Sequence, residues 1–171
     1  MLLPLYPQYA MASTLTIEVL AEKVRKKKFP NMKITNFPAF YNKPDFIKVL
    51  SNSIKENLEG YDYDQLVFSY HGIPERHIRK TDVTKSHCKI DGSCCVQASK
   101  AHAFCYRHQC FETTRLVVEQ LGIPEDKYTI TFQSRLAGDK WLEPYTDVEI
   151  DNMPAKGIKK IAVVTPAFVT D

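Results

Sequence analysis

One histidine stands at the end of an apolar run, and it is the residue of this sequence best placed to do chemistry. Residues Leu66 to Tyr70 read as a buried strand, which His71 and Gly72 bring to an end. Strands of open α/β sheets end at the ligand-binding crevice. A neutral imidazole placed there can accept a proton or bind a metal ion. We therefore predict that His71 is the centre of a catalytic or metal-binding site.

Five cysteines form a second chemical signal, because all of them lie within the 23 residues from Cys88 to Cys110. Disulfides would require an oxidising compartment, of which the sequence gives no sign. Zinc sites usually take pairs spaced C-x2-C or C-x4-C, and only Cys105 and Cys110 have such a spacing. An iron–sulfur cluster needs four thiolates and tolerates irregular spacing. The pattern favours iron–sulfur over zinc, with one of the adjacent Cys94 and Cys95 as a spare.

Three histidines, His87, His102 and His108, lie among these cysteines. One of them could supply a fourth ligand to a metal centre. We interpret them instead as polar residues of a loop and a helix, since neither their number nor their spacing forms a recognised ligand motif.

Composition limits the classes of function. The chain has 171 residues, of which 44% are hydrophobic and 25% are charged, with a net charge of +3, as expected for a globular domain with a real core. Basic residues do not interleave with aromatic ones, which argues against nucleic-acid binding. No apolar run reaches the roughly 20 residues that span a bilayer, and the N-terminus lacks the charged start of a signal peptide. We expect a soluble, cytoplasmic protein.

Apolar periodicity and turn residues predict that helices and strands alternate along the chain. Such alternation gives a parallel sheet with helices on both faces, an α/β fold of the Rossmann/flavodoxin-like kind. Because Met1 runs directly into a strand-like segment and Asp171 follows a strand at once, we expect the chain to be a piece of something longer. The predicted elements are a helix from Ser13 or Thr14 to Lys27, a strand over 32–37, a helix over 44–58, a strand over 65–70, an irregular stretch over 72–101, a helix over 104–121, a strand over 128–134, a helix over 143–152 and a strand over 158–165.

Several motifs, taken in order, resemble those of the ferrochelatase family. They cover nearly all of this chain but only about the middle half of the family's length. The matching segments are Pro4-Leu-Tyr-Pro-Gln-Tyr9 with Ser13-Thr14, Phe68-Ser-Tyr-His-Gly-Ile-Pro74, Tyr106-Arg-His-Gln-Cys110 with Thr113-Thr-Arg115, Phe132-Gln-Ser-Arg135 with Trp141-Leu-Glu-Pro144, and Thr165-Pro-Ala-Phe-Val-Thr-Asp171.

This resemblance implies a lyase that inserts ferrous iron into protoporphyrin IX, the last step of heme biosynthesis, on a chelatase-like α/β lobe. His71 would accept the pyrrole protons and contact the iron transiently. Ser134 would bind a porphyrin propionate, with Gln133 orienting it. The apolar walls of the pocket would come from the remaining matching residues, namely Tyr6, Trp141 and Phe168.

The chain departs from the family pattern in two ways that matter. The family's catalytic glutamate follows a few residues after the Thr170-Asp171 pair, so this chain lacks it, and we expect the fragment to be inactive. Animal members use a cysteine of the YPQY element for a 2Fe-2S cluster, but no cysteine stands there; Met11 follows the element instead. Residues 83–110, hereafter the cysteine-rich insert, resemble the internal cluster-binding insert of some bacterial members. The cluster would take four of the five cysteines Cys88, Cys94, Cys95, Cys105 and Cys110, and zinc is the alternative.

Other interpretations remain open at this point. A related chelatase could load cobalt or nickel into a tetrapyrrole, and a non-catalytic protein could display an iron–sulfur or zinc loop on the same scaffold. The resemblance assigns residues 1–171 to one chelatase-like α/β fragment, with residues 1–31 belonging to the other lobe or to the crossover between lobes. Protoporphyrin IX and ferrous iron are the expected partners, and peripheral membrane contact and a homodimer are compatible with the sequence.

Overall fold

Three parallel strands form the centre of the structure, in the order β2-β1-β3. The computed structural model describes residues 1–169. β1 pairs with β2 from Leu66 opposite Tyr128 to His71 opposite Gln133. The helices and strands are α1 (Thr16–Lys28), α2 (Pro44–Asn57), β1 (Gln65–His71), α3 (Glu75–Thr81), α4 (Tyr106–Leu121), β2 (Tyr128–Gln133), α5 (Thr146–Asn152) and β3 (Ile161–Val164).

Helices cover both faces of this sheet, as predicted. Leu66, Phe68 and Tyr70 are buried in one cluster with side chains of α2 and α4. Ser69 points the other way, and its hydroxyl lies 2.9 Å from that of Thr146 in α5. Because β1 is buried on both sides, its sequence reads as a continuous apolar run rather than as an alternating one. The predicted α/β fold class is confirmed.

The strand predicted over residues 32–37 is wrong. Only one isolated bridge, between Leu2 and Asn36, is present there, and it rests on two hydrogen bonds, from Leu2 N to Thr35 O and from Phe37 N to Leu2 O. Prolines flank both partner segments and remove the amide donors that a longer ladder would need.

Two predicted boundaries also differ from the structure. The stretch expected to be irregular over 72–101 contains α3 and a 3₁₀ turn at Ser93–Val96. The helix expected from residue 143 begins only at Thr146. Pro144 O accepts a hydrogen bond from Phe132 N at 2.8 Å, so the chain before α5 runs beside β2 instead of starting a helix.

The N-terminal helix does not begin at Ser13 or Thr14 as predicted, but at Thr16. Ser13 and Thr14 lie inside a turn of π-helix, Met11–Leu15, that leads into α1. None of the residues of α1 is buried. Within residues 1–169, no helix is both long enough and apolar enough to cross a membrane.

Candidate active site

A largely apolar cleft of about 400 Å³ opens at the carboxyl end of β1. His71 is the only residue of β1 that is exposed, since the six before it are buried. Four residues predicted from the sequence line this cleft together: Tyr6, His71, Trp141 and Phe168. The strand therefore carries its histidine out of the core and into a pocket, as the sequence indicated.

Two aromatic rings stand edge-on to the His71 imidazole. The ring centroids of His71 and Trp141 are 6.4 Å apart at an interplanar angle of 82°, and those of His71 and Phe168 are 5.9 Å apart at 85°. Burial in this apolar setting lowers the pKa of His71. The imidazole is therefore neutral near pH 7 and able to accept a proton.

Gly72 allows Trp141 to approach the strand end. Its amide donates to Gln133 O at 2.8 Å. A Cβ on this residue would lie 2.9 Å from that same oxygen and 3.3 Å from Trp141 Cε3. Residue 72 must therefore lack a side chain for the tryptophan ring to pack beside the strand end, and an antiparallel bridge between Pro74 and Trp141 fixes the backbone of that segment.

The N-terminal segment is tied over the cleft by buried glutamines that sequence reasoning missed. Gln8 Nε2 donates to Thr113 Oγ1 at 3.0 Å, and Gln109 Oε1 accepts from Tyr9 N at 2.7 Å. Both glutamines lie within the family motifs described above. The sequence analysis assigned roles only to other residues of those motifs and none to Gln8 or Gln109. Their role is to hold Tyr6 against the cleft.

His77 is another residue lining the cleft to which the sequence analysis gave no role. Its Nδ1 is buried, as are Gln8 Oε1 and Trp141 Nε1, and none of the three atoms has a hydrogen-bond partner in the part of the chain that the structure describes. Buried polar atoms without partners mark places where a ligand can supply them. The signal in the sequence was the spacing of His71 and His77 around the Pro74 turn.

Gln133 and Ser134 do not line the cleft around His71. They line a separate, shallower depression beside Thr146 and Asp147 of α5. Ser134 is exposed and has a φ of +67°, a conformation that side chains rarely adopt. Their role in binding a propionate stays a prediction. Thr170 and Asp171, the last residues of the matching motif, lie outside the described residues.

The five cysteines are all free. Cys94, Cys95, Cys105 and Cys110 are buried, and the thiol of Cys105 interacts with those of Cys88 and Cys95. Burial and the nearby Asp82 raise the pKa of Cys88 to about 11. Among residues 1–169, no three or more histidine, cysteine, aspartate or glutamate side chains are arranged around a single metal ion.

Two charged side chains hold the cysteine-rich insert in place. Arg107 is only 3% exposed, and its guanidinium donates to the carbonyls of Lys89 and Ile90 and, at 3.9 Å, to Cys94 Sγ. Asp82 accepts from the amides of Thr84 and Cys88 at 2.8 Å each. Burial alone would raise the pKa of Asp82, but these hydrogen bonds outweigh it and lower the pKa to about 2.

Comparison with known proteins gives matches that cover nearly the whole chain. The ferrochelatase family model matches residues 1–171. The chain is 43% identical over 171 residues to a ferrochelatase of Pseudomonas fluorescens strain Pf0-1, matching 99% of this chain and 50% of the relative. It is 40% identical over 171 residues to one of Opitutus terrae, matching 100% of this chain and 49% of that relative. The chain thus spans about half the length of the curated relatives it matches.

Proposed function

The chain belongs to the ferrochelatase family, and from that membership we propose that the protein inserts ferrous iron into protoporphyrin IX, with the cleft around His71 as part of its active site. The observation that carries this proposal is a neutral imidazole held between two aromatic rings in an apolar cleft. Metallating a porphyrin requires just such a base, pressed against a flat apolar macrocycle.

The reaction exchanges two protons for one metal ion. Fe²⁺ binds to the four ring nitrogens, and the two pyrrole N–H groups release their protons, so that charge balances. His71 accepts these protons in turn through its neutral ring nitrogen and passes them to solvent. Trp141, Phe168 and Tyr6 exclude water and hold the macrocycle by its faces and edges. We also propose that Ser134 binds a propionate group of the porphyrin and that Gln133 orients it.

Family resemblance assigns a glutamate beyond Thr170-Asp171 as the partner of His71, and residues 1–171 do not include it. We infer that this chain alone binds porphyrin but inserts iron at less than about 1% of the rate of a complete protein, because one member of an acid–base pair typically supplies at least 10²-fold. Insertion by residues 1–171 at clearly more than about 1% of the rate of a complete family member would refute this.

The test of the function uses the full-length protein that contains this chain. His71→Ala should lower the rate of iron insertion by about 10²–10⁴-fold and leave porphyrin affinity within about threefold. Asn57→Ala, at the end of α2 away from the cleft, is the control and should change neither quantity. If His71→Ala retains the wild-type rate, the proposed role of His71 is lost.

Porphyrin binding has its own direct readout. Trp141 is the only tryptophan of the chain and lines the cleft, so a porphyrin bound there should quench its emission. No quenching at porphyrin concentrations that saturate a complete family member would contradict the assignment of the cleft. A competition with cobalt and nickel salts in the full-length protein separates the iron enzyme from chelatases for those metals.

We further propose that the cysteine-rich insert holds a 2Fe-2S cluster. The chemistry of the donor set fits: Cys88, Cys95 and Cys105 interact with one another, and the amide of Lys89 donates to Cys94 Sγ at 3.1 Å, a contact that stabilises charged cluster sulfurs. Cys110 is the remaining candidate. When bound, a cluster supplies one-electron chemistry and a cross-link between the insert and α4.

Anaerobic purification tests the cluster. We expect a coloured protein with visible absorption and an iron-to-sulfide ratio of one, both lost in a Cys105→Ser variant. A colourless anaerobic protein with one tightly bound zinc would favour the zinc alternative and a non-catalytic role for the insert.

We also propose that the protein is cytoplasmic and that it forms a homodimer or contacts a membrane peripherally. Within residues 1–31, the lack of buried residues on α1 supports an assignment to another lobe or to the crossover between lobes, whereas Gln8 and Tyr9 are hydrogen-bonded to α4. Leu3 and Leu5, which are 44% and 47% exposed, support a homodimer or peripheral contact with a membrane. Cell fractionation tests the cytoplasmic location, sedimentation tests the dimer, and flotation with lipid vesicles tests membrane contact.

A further inference from the structure

Two imidazoles of the cysteine-rich insert converge on one backbone oxygen. His87 Nε2 lies 3.1 Å from Cys94 O, His102 Nε2 lies 3.3 Å from the same oxygen, and the two ring nitrogens are 3.3 Å apart. The three atoms form a nearly equilateral triangle. His87 comes from the loop after α3 and His102 from a short 3₁₀ turn, Lys100–Ala103, so the convergence is a tertiary feature.

Hydrogen bonding alone does not satisfy these three atoms. A carbonyl oxygen has two lone pairs, and Gln97 N already donates to Cys94 O at 3.2 Å. If both Nε2 atoms carry protons, three N–H groups compete for the two lone pairs. If one Nε2 is bare, its lone pair faces that of the carbonyl. Each tautomer leaves at least one unfavourable contact, whereas a cation at the centre of the triangle would be attracted by all three lone pairs.

The spacing also suits coordination. The point within the plane that is equidistant from the three atoms lies about 1.9 Å from each. Zinc and similar ions bind nitrogen and oxygen ligands at about 2.0–2.2 Å. Such an ion would sit slightly above the plane and keep further positions open for water or another ligand.

Neighbouring groups hold one of the two imidazoles in this orientation. The ring of His108 stacks on that of His102, with centroids 3.5 Å apart and an interplanar angle of 11°. His108 is itself fixed, because its Nδ1 lies 2.9 Å from Cys95 O.

We propose that His87, His102 and the carbonyl of Cys94 form a binding site for one divalent transition-metal ion, distinct from the cysteine thiolates. Imidazole nitrogen favours zinc, iron, nickel and related ions over magnesium or calcium. The site has two side-chain ligands and one main-chain ligand. It does not depend on the proposed iron insertion or on the iron–sulfur cluster.

Cobalt(II) is the probe for this site, added to the purified chain without oxygen and without thiol reductant. We expect one Co²⁺ per chain with the weak visible bands of nitrogen and oxygen ligation. Co²⁺ bound by thiolates would instead give intense sulfur-to-metal charge-transfer bands in the near ultraviolet. Affinity should fall as the pH drops through the histidine range, because the ligands must be unprotonated.

Variants identify the ligands. His87→Gln and His102→Gln should each weaken Co²⁺ binding at least about tenfold, since even the loss of a second-shell partner costs 10–100-fold. Asn57→Ala, at the end of α2 and outside both the triangle and the cleft, is the control and should bind as the wild type does. Trp141 emission verifies that each variant is folded.

A second measurement needs no variant. Two paramagnetically shifted imidazole N–H signals should appear in the proton spectrum of the wild-type chain when Co²⁺ binds. The proposal is overturned if these signals are absent, if both His87→Gln and His102→Gln bind Co²⁺ with wild-type affinity, or if all of the bound Co²⁺ shows sulfur charge transfer.

Discussion

The cleft around His71 and the cysteine-rich insert are neighbours in sequence but are built in different ways. Main-chain hydrogen bonds define the cleft: Gly72 N donates to Gln133 O, Leu142 N to Ile73 O, and Phe132 N to Pro144 O. The insert instead depends on the side chains of two charged residues, Asp82 and Arg107, which bind its backbone. A sheet positions one region, and a pair of charges positions the other.

This difference has a consequence for substitutions. A site at a strand end inherits the rigidity of the sheet and should respond mainly to changes in side-chain volume. A loop held by buried charged groups should respond to the loss of hydrogen bonds, because each abandoned acceptor remains desolvated. The following variants test that distinction, in order of decreasing loss of stability.

Arg107→Met should destabilise the protein by about 3 kcal/mol, because two carbonyls and one sulfur lose a charged donor inside the structure. Urea unfolding measures this, and Trp141 emission of the folded variant should match the wild type if the cleft is independent of the insert. Arg115→Met is the control: its side chain is 56% exposed and pairs with Glu112 and Glu119 at the surface, and it should cost less than about 1 kcal/mol. Equal losses for the two arginines would contradict the comparison.

Gly72→Ala should cost about 2 kcal/mol, because the added methyl forces Gln133 O and the Trp141 ring to move. Here the emission of Trp141 should change, along with its quenching by porphyrin. Gly122→Ala is the control: it makes the same substitution at a position away from the cleft. Residue 122 has a φ of +66°, and a methyl group added there would meet no atom of residues 1–169 within 4 Å, so that variant should lose about 1 kcal/mol with unchanged emission.

Asp82→Asn should cost about 1–2 kcal/mol at neutral pH, because an amide accepts fewer hydrogen bonds than a carboxylate. The folded pKa of Asp82 is about 2, below the ordinary aspartate value of 3.8. A depressed pKa contributes stability that is complete above the unfolded value and is lost as the pH falls through the folded one. The difference between wild type and variant should therefore shrink between pH 4 and 2.

Asp62→Asn provides the reference for that experiment, since the Asp62 side chain is 94% exposed. We expect no change in the free energy of unfolding and no change in its pH dependence. A wild-type pH profile for Asp82→Asn would mean that the insert does not rely on this carboxylate.

Tyr106→Phe should have the smallest effect of the series, about 1 kcal/mol. The Tyr106 hydroxyl donates to His71 O at 2.8 Å, a side-chain hydrogen bond at the strand end beside the main-chain ones. Tyr61→Phe removes an exposed hydroxyl 3.3 Å from Ile161 O and should cost less than about 0.5 kcal/mol. A loss from Tyr106→Phe as large as that from Arg107→Met would remove the distinction between the two regions.

Sequence reasoning succeeded where one local pattern dominates. The apolar run of β1 predicted a strand and placed His71 at its end, and the α4 pattern predicted a helix that ends at Gly122, whose φ of +66° suits a helix terminus. It failed over residues 32–37, where β-forming side chains alternate but flanking prolines remove the donors of a ladder.

Sites formed by several segments were only partly predictable. The family motifs named Tyr6, Trp141 and Phe168, and the structure brings all three to His71. The same motifs named Gln133, whose side chain lines the depression beside α5 while its backbone oxygen supports Gly72. Alternation along a strand determines on which face of the sheet a side chain lies. A sequence motif does not show on which face of the sheet the ligand binds.

The α/β order, the family and the position of His71 at a strand end could be read from the sequence alone, because hydrophobic period and short motifs are encoded by neighbouring residues. The folded chain was needed to show that Gly72 makes room for Trp141 and that Arg107 and Asp82 hold the insert. It alone decided that His87 and His102 meet over one carbonyl. Such meetings depend on distances between segments far apart in the chain, and packing sets those distances only when the whole core forms.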